Sequence, residues 1–586
     1  MKRLLALVVI FALAFGGFAA LPRPVAAADA PSGTFLGTWP YALPPNHHLS
    51  SFAAGGLGDN LGVIYRQMVQ MPFAFYMWAQ DKYEPLLAES FGYNSDMTAY
   101  DVKLRADAKW SNGDAVTADD VIATYALGRI RGWAQFTYFS EVKKVDDLTV
   151  SFVVKGEASL LAERLVLKEY ILDRATWGAL ADEATALVAA GKTNADQEWK
   201  DLNAKITDFR PETLNASGPF TYTLDDVNDK YLTLKWQPNS IFSGSVKFGE
   251  IRLWAGETDA TTPLVLSGEL AHSTNVYPPA AQQAFKDAGV RLIVQPRMYG
   301  PALLFKHDVY PFGIKEIRQA AAYAINREQS AFLTNGFGAM GTVYMCGLLD
   351  SSVPGLLNED VIAKLNRYEL NLEKAAELMT AAGFTKNADG KWADKDGKTV
   401  KAEYKFPAEF ADFSAAAQDA IQQLNDFGWD ITARALPWQQ TAEDIRQGNF
   451  ELSVWSWGNT SPFAARQFFG PVQRFNYVGL PEGQVGMNFQ MKFEYGGKEI
   501  DLNEMINLSS SSMDPAVLKE RAGEVAVIIN DLMPFVPLNV ILSTEPWNTK
   551  LVSGGPADGD PILQNPSPDH FIIWYMLNGT ITPPAQ

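Results

Sequence analysis

Val102-Lys103-Leu104-Arg105, followed by Ala108-Lys109-Trp110-Ser111-Asn112-Gly113-Asp114-Ala115-Val116-Thr117-Ala118-Asp119-Asp120-Val121, is the stretch on which the fold turns. Read locally, Gly113 sets a turn and Thr117 opens a helix predicted over 117–127. A threonine hydroxyl there can accept from a free amide of the first turn. Asp119 and Asp120 place negative charge where the helix dipole is positive.

Around this stretch the chain alternates Ala-rich, acidic helical patterns with short Val, Ile, Leu and Phe runs, which predicts mixed α and β structure. Apolar residues at Ile317, Ala321, Ala324 and Ile325 predict a helix over 314–332, and a third covers 372–383, stopped by Gly383. Alternating β-branched and aromatic residues predict strands at 149–154, 231–236, 250–253 and 290–295. Turns at 387–390 and 394–397 flank Lys391-Trp392-Ala393 in a hairpin pattern. The charged helical segment 179–209 reads as an insertion packed on the surface. A helix over 441–448 and a strand over 450–455 precede Trp457.

Bulk properties narrow the classes. Lys2, Arg3, an apolar run over 4–15 and Ala26-Ala27-Ala28 before Asp29 predict a cleaved export signal over 1–28. The run is shorter than the roughly 20 residues of a membrane span, and no cysteine follows the cleavage site directly, so the mature chain is expected soluble, outside the cytoplasmic membrane. Removing the three positive charges of this segment takes the net charge from −18 to −21. Such a chain repels phosphate backbones and anionic lipid, which argues against nucleic acid as a partner. Cys346 is the single cysteine and can form no internal disulfide. With 586 residues, 47% of them apolar, the chain can bury a large core in more than one domain.

The opening stretch resembles the "LR…W/F-S-D-G…T-A-D-D-V" signature of the family 5 extracellular solute-binding proteins, receptors of ABC importers for oligopeptides, dipeptides, nickel and oligosaccharides. Three further segments follow in family order. Asn215-Ala216-Ser217-Gly218-Pro219-Phe220 is similar to a G-T-G-P-Y turn. Ile317-Arg318-Gln319-Ala320 with Tyr323-Ala324-Ile325-Asn326-Arg327-Glu328 is similar to "V-R-Q-A…Y-A-I-D-R-E". Ala375-Ala376-Glu377-Leu378 with Ala382-Gly383-Phe384 is similar to "A-x-x-L-L-x-x-A-G-Y". The resemblance implies an α/β, two-lobed periplasmic-binding-protein fold (type II, cluster C) with a small additional domain inserted in lobe I. Lobe I would comprise 29–60, 209–295 and 544–586, the additional domain 61–208, and lobe II 296–543. A ligand in the cleft would contact both lobes and favour the closed form. The implied partners are a small-molecule substrate and the membrane subunits of an ABC permease, with the receptor a monomer that uses no cofactor.

Ligand class is read from 438–462. Trp438 and Trp457 fall where the family's peptide receptors also carry tryptophans. Those receptors hold the peptide ammonium with an aspartate three residues past the second tryptophan, where this chain has Thr460. Positions of arginines that neutralise the peptide carboxylate are Val454 and Ile445, and a further family aspartate position is Ala271. Indole faces suit the C–H faces of sugar rings, and an amide such as Asn459 suits their hydroxyls. Alternation along Val454-Trp455-Ser456-Trp457 puts both indoles on one strand face. The expected ligand is therefore a neutral oligosaccharide, of cello-, xylo- or manno- type, held by Trp438, Trp455, Trp457, Asn459 and Thr460. Trp39, Asn46, Asn275 and Tyr277 are added from segments that pass the cleft in relatives. A peptide is the alternative ligand.

Other chemistries are weaker. His47 and His48 are adjacent and point oppositely on a strand, while His272, His307 and His570 show no ligand spacing and read as loop or surface histidines, so no metal site is expected. No G-x-S-x-G elbow, P-loop or H-E-x-x-H is present, which leaves paired carboxylates of a glycosidase as the catalytic alternative. A receptor without catalytic residues is the expectation.

Overall fold

Thr117 caps its helix as the sequence predicts. In the computed structural model, which describes residues 30–336, 339–480 and 483–584, the helix runs Ala118–Ile130. The Asp120 carboxylate accepts from the Thr117 amide at 2.8 Å and from its hydroxyl at 3.1 Å, completing a capping box. The segment read as an export signal lies outside the described residues. No helix of the described residues is long and apolar enough to cross a membrane.

Two sheets position the site. The first has the order Thr34–Thr38, Glu250–Trp254, Tyr231–Trp236, Phe220–Thr221. The second has the order Asp430–Leu436, Lys401–Pro407, Leu452–Gly458, Tyr299–Phe305, Phe535–Pro537. A further four-stranded sheet, Ala88–Tyr93, Ala99–Leu104, Thr149–Val154, Phe139–Lys144, is formed by the chain between Thr34–Thr38 and Phe220–Thr221. Its inward residues join those of the first sheet in one continuous core.

The five-stranded sheet is covered on both faces, and period-two alternation sorts its residues. Leu303, Phe305, Leu452 and Val454 point into one core. Ala302, Leu304 and Trp457 point into the other, with Trp455 packed at its edge. The second core is closed by the helices Ala464–Arg474 and Pro515–Leu532, through Phe468, Val472, Val525 and Ile529.

Differences from expectation are local. The helix expected over 314–332 is two, Lys315–Ala324 and Arg327–Asn335. Ile325 turns extended, and the Asn326 side chain accepts from the Gln329 amide at 3.1 Å, so a cap replaces a helical turn. Within 179–209 the helices Arg174–Ala189 and Gln197–Asp208 pack on Ala118–Ile130 and bury Trp177, Leu202 and Ile206.

The chain enters the five-stranded sheet through Arg291–Pro296 and returns through Leu542–Trp547, and these two segments pair antiparallel. Glu545 lies in the second of them at 1% exposure. It accepts from His272 Nε2 at 2.6 Å, His570 Nε2 at 3.0 Å, Gln295 Nε2 at 3.0 Å and Ser543 Oγ at 2.5 Å. The Ile572 amide donates to His570 Nδ1 at 3.2 Å, which fixes the ring proton on Nε2, facing Glu545. Burial pushes the Glu545 carboxyl up, and the two histidines overcome this and hold it well below the ordinary carboxylate range. His272 and His570 are thus fully buried rather than loop or surface residues. The fold, not sequence spacing, brings 272, 545 and 570 together. Their donor atoms lie within 4.8 Å of one another. The His570 tautomer leaves no lone pair on Nε2 for a metal, so the trio works as a hydrogen-bonded anchor of the crossover.

Replacing Glu545 by Gln turns acceptors into donors facing imidazole N–H groups, and is expected to cost about 1–3 kcal/mol per donor left unpaired. Because the native pKa is depressed, this stabilisation is present above the unfolded value near 4.5 and is lost as pH falls through the lower native value. Urea unfolding of wild type and variant at pH 7 and pH 4 checks both: a gap that is wide at pH 7 and narrows in acid is expected.

Candidate ligand-binding site

Thr34–Thr38 and Glu250–Trp254 run parallel, with Thr38 beside Trp254, so both leave the first sheet on one side, at Trp39 and at Ala255-Gly256-Glu257. In the second sheet Lys401–Pro407 is parallel to Asp430–Leu436 and to Leu452–Gly458. These strands leave together at Ala408-Glu409-Phe410, at Pro437-Trp438 and at Asn459-Thr460. Tyr299–Phe305 runs the other way, with Tyr299 beside Gly458, so its start, and Arg297 before it, lie at that same edge. Carboxyl ends of parallel strands are where open α/β sheets bind ligands. Here the two sets of ends meet around a cavity of about 390 Å³, lined by Glu257, Asp259 and Ala260 beyond the first sheet and by Ala408, Glu409 and Pro437 at the second.

The side chains at this junction carry charge. Glu257 precedes the helix Thr258–Leu266 and makes no capping bond to it. Burial raises its carboxyl to about 7, with Asp412 adding to the rise and Arg297 opposing it. Asp412, in the first turn of Ala411–Phe427, is 7% exposed. Burial raises it to about 6, against the Phe413 amide, which donates to it at 2.8 Å, and the charge of Arg297. Arg297 donates from Nη2 to the Thr274 carbonyl at 2.7 Å and lies over the Tyr299 ring at 5.5 Å, while its buried Nε has no partner. Among the described residues none of these three charges closes an ion pair within 4 Å. Glu409 is anchored differently, accepting from the Trp438 amide at 3.0 Å.

Aromatic rings continue from the charges. Trp438 is half-buried and stacks on Phe410, with centroids 6.0 Å apart and planes at 19°. Phe410 meets Trp455 at 6.2 Å, and Trp455 meets Phe475 edge-on at 6.2 Å. Asn459 and Thr460 are half-buried in the turn after the strand that carries Trp455, where the Ser461 amide donates to the Asn459 carbonyl at 2.8 Å.

Several residues expected at the site lie elsewhere. Trp457 is 0% exposed, its indole N–H bonded to the Asn539 carbonyl at 3.0 Å, because its sheet face is roofed by two helices. It is a core residue here. Val454 and Ile445 are also fully buried, and Ala271 nearly so, so those positions of missing charge face cores rather than the cleft. Asn275 and Tyr277 are buried in a polar knot. Asn275 Nδ2 donates to Thr261 Oγ1 at 2.9 Å, and the Tyr277 hydroxyl bonds to Ser273 at 2.8 Å and Thr261 at 2.9 Å. The knot fixes the start of the helix that follows Glu257, through the bond from Thr258 Oγ1 to the Val276 carbonyl at 2.9 Å. The Trp39 indole bonds to the Asp59 carbonyl at 2.7 Å, and Asn46 is exposed with its amide on Leu43. The cleft is therefore not free of charge, as the sequence suggested. Glu257 and Glu409, which line the cavity, were missed because nothing in their local sequence marks them; placing Glu250–Trp254 and Lys401–Pro407 in their two sheets would have found both.

The sequence profile of bacterial extracellular solute-binding proteins, family 5 middle, matches residues 82–474. The dipeptide-binding protein DppE of Bacillus subtilis is 25% identical over 401 residues, covering 63% of this chain and 65% of the relative. The oligopeptide-binding protein OppA of Lactococcus lactis is 20% identical over 493 residues, covering 77% and 76%. The chain thus spans just under two thirds of DppE. Among solved structures, a periplasmic oligopeptide-binding protein of Thermotoga maritima with bound mannohexaose superposes with a TM-score of 0.74 at 19% identity, over 94% of this chain and 99% of the other. AppA of Bacillus subtilis with a nonapeptide gives 0.69 at 16% identity, over 95% and 99%.

Two outcomes follow from the burial. Trp457→Ala should cost about 3–5 kcal/mol of stability, as for a large aromatic removed from a core, whereas Trp438→Ala should cost far less; chemical denaturation distinguishes them. Glu257 and Asp412 have native pKa values raised above their unfolded ones, so the folded state holds the extra protons between about pH 4 and 7. Their contribution to stability falls as pH rises through that window. Melting curves from pH 5 to pH 8 should fall less steeply in the Glu257→Gln, Asp412→Asn double variant than in wild type.

Proposed function

We propose, from the premise that the chain belongs to the bacterial extracellular solute-binding proteins of family 5, that it is a receptor capturing a neutral oligosaccharide between its lobes. The receptor then delivers the sugar to the membrane subunits of an ABC permease. It acts as a monomer outside the cytoplasmic membrane, after removal of residues 1–28, and neither a cofactor nor nucleic acid takes part. Capture proceeds by closure of the lobes, with no covalent step. In this reading lobe I comprises 29–60, 209–295 and 544–586, an additional domain 61–208, and lobe II 296–543.

The observation that carries this reading is the ring chain Trp438–Phe410–Trp455, whose first two rings directly follow the cavity-lining Pro437 and Glu409 in sequence. The second face of a stacked indole suits the C–H face of a pyranose. A buried peptide terminus, by contrast, needs a counter-charge, and leaving one unpaired costs several kcal/mol. Thr460 offers none, and the side chains of Val454 and Ile445 are in cores. The mannohexaose held by the Thermotoga maritima protein is in keeping with this class of ligand. Tryptophans 455 and 438 replace 457 as the ring contacts in the proposal.

A peptide is the second reading. It is favoured by the names of DppE and OppA and by the acidic cavity wall of Glu257, Asp259 and Glu409, which suits an ammonium group.

A thermal-shift screen separates the two. Ligand at 100 times its Kd stabilises by about 2.7 kcal/mol, so manno-, cello- or xylo-oligosaccharides should raise the Tm and a tripeptide library should not. Trp438→Ala should weaken sugar binding by about 0.5–1.5 kcal/mol or somewhat more, read by calorimetry. A Tm raised by tripeptides alone contradicts the sugar reading.

A further inference from the structure

Glu409 lines the cavity with one carboxylate oxygen already engaged. It follows the strand Lys401–Pro407, which pairs in parallel with Asp430–Leu436 as far as Pro407 beside Leu436. The Ala408 amide extends that pairing by donating to the Leu436 carbonyl at 2.8 Å. One residue further on, Glu409 Oε2 accepts from the Trp438 amide at 3.0 Å. That amide opens the helix Trp438–Gln447, and a first-turn N–H has no partner inside its own helix. Pro437, which precedes it, makes no side-chain cap. Glu409 therefore caps this helix from the neighbouring strand, with its charge at the positive end of the helix dipole.

Phe410, the next residue, holds the ring of the same tryptophan. It stacks on the Trp438 indole with centroids 6.0 Å apart and planes at 19°. Its own position is set by Phe413 at 6.0 Å and Trp455 at 6.2 Å. Two consecutive side chains thus fix the backbone and the ring of Trp438, and the half-buried indole keeps its opposite face for a ligand. Ordering a loose side chain on binding lowers affinity, and an indole held beforehand avoids that loss. The charge of Glu409 is met by the N–H at the helix start, so an acid at the cavity wall is compatible with an uncharged ligand.

We propose that Glu409 is a positioning residue, which acts on the ligand through Trp438 by holding the indole as a preformed platform for a sugar ring. The inference rests on the oligosaccharide reading and names the residue that orients its stacking surface. An acid that touched the ligand directly would act whether or not the indole were present. An acid that works through Trp438 loses its effect once that ring is removed. Glutamine at 409 keeps an oxygen for the Trp438 amide, and alanine keeps none.

Calorimetric titration of the full mature chain with mannohexaose, cellohexaose and xylohexaose tests this, using Glu409→Ala, Glu409→Gln, Trp438→Ala and the double variant Glu409→Ala, Trp438→Ala. Glu409→Ala should weaken binding of the sugar that wild type takes by about three- to ten-fold, the range for ordering one side chain on binding. Glu409→Gln should restore affinity to within about two-fold of wild type. In the Trp438→Ala background, Glu409→Ala should change Kd by less than about two-fold, the non-additivity of residues that act as one unit. Fluorine NMR of the ligand-free protein labelled with fluorotryptophan gives a second readout. The resonance missing from Trp438→Ala should shift or broaden in Glu409→Ala and stay in place in Glu409→Gln. An unchanged Kd in Glu409→Ala, an equal loss with and without the indole, or an unmoved resonance overturns the positioning role and leaves the oligosaccharide reading standing. A loss in Glu409→Gln as large as in Glu409→Ala marks the charge itself as the contact and also overturns it. Binding of none of the three sugars by wild type overturns the oligosaccharide reading and this inference with it.

Discussion

The antiparallel pairing of Arg291–Pro296 with Leu542–Trp547 is the constraint on which the site depends. The chain enters and leaves the five-stranded sheet through it, so its register sets which strand ends face each other. Glu545 pins that register with four side-chain donors drawn from residues 272, 295, 543 and 570. A buried carboxylate is costly unless every lone pair is satisfied. Here the cost enforces one arrangement, because shifting either crossing strand would leave the charge exposed to apolar surroundings. Arg297 follows the first of these strands directly and donates to the Thr274 carbonyl, which ties the start of Tyr299–Phe305 to the segment after Glu269.

From that crossing the cleft follows by strand direction. Parallel neighbours must end on the same side, so Glu257 on one sheet and Ala408 to Asp412, Pro437 and Asn459 on the other converge without any residue having been placed there by a loop of special shape. Supporting polar knots then fix individual groups. Asn275, Thr261 and Tyr277 hold the helix after Glu257, and Glu409 holds the amide of Trp438. Asn275 and Tyr277, expected as ligand contacts, therefore act one step behind the cleft, on the element that presents Glu257.

Much of the fold was legible in the sequence. The capping residues at 117–120, the strands at 149–154 and 231–236, and the glycine stop at Gly383 are local in origin, and local patterns predict them well. The break at Ile325-Asn326 was not read, because an apolar repeat and a side-chain cap competed and the cap prevailed. The site was legible in part. Trp438 and Trp455 are joined through Phe410, and Asn459 and Thr460 follow the strand that carries Trp455. Trp457 takes no part, since alternation fixes which residues share a face but not whether helices such as Ala464–Arg474 cover it. Charge was misread for a related reason: the family positions searched for ions at 445 and 454 point into cores, while the ions that reach the cleft come from segments far apart in sequence.

Hydrogen–deuterium exchange of the mature protein with and without mannohexaose addresses the central claim, that the convergent strand ends are the binding site, most directly. The account predicts slowed exchange in the peptides covering 257–261, 297–300, 408–413, 437–441 and 458–461, with little change in the region 118–208. Saturable binding that leaves those segments unprotected and slows exchange elsewhere would contradict it.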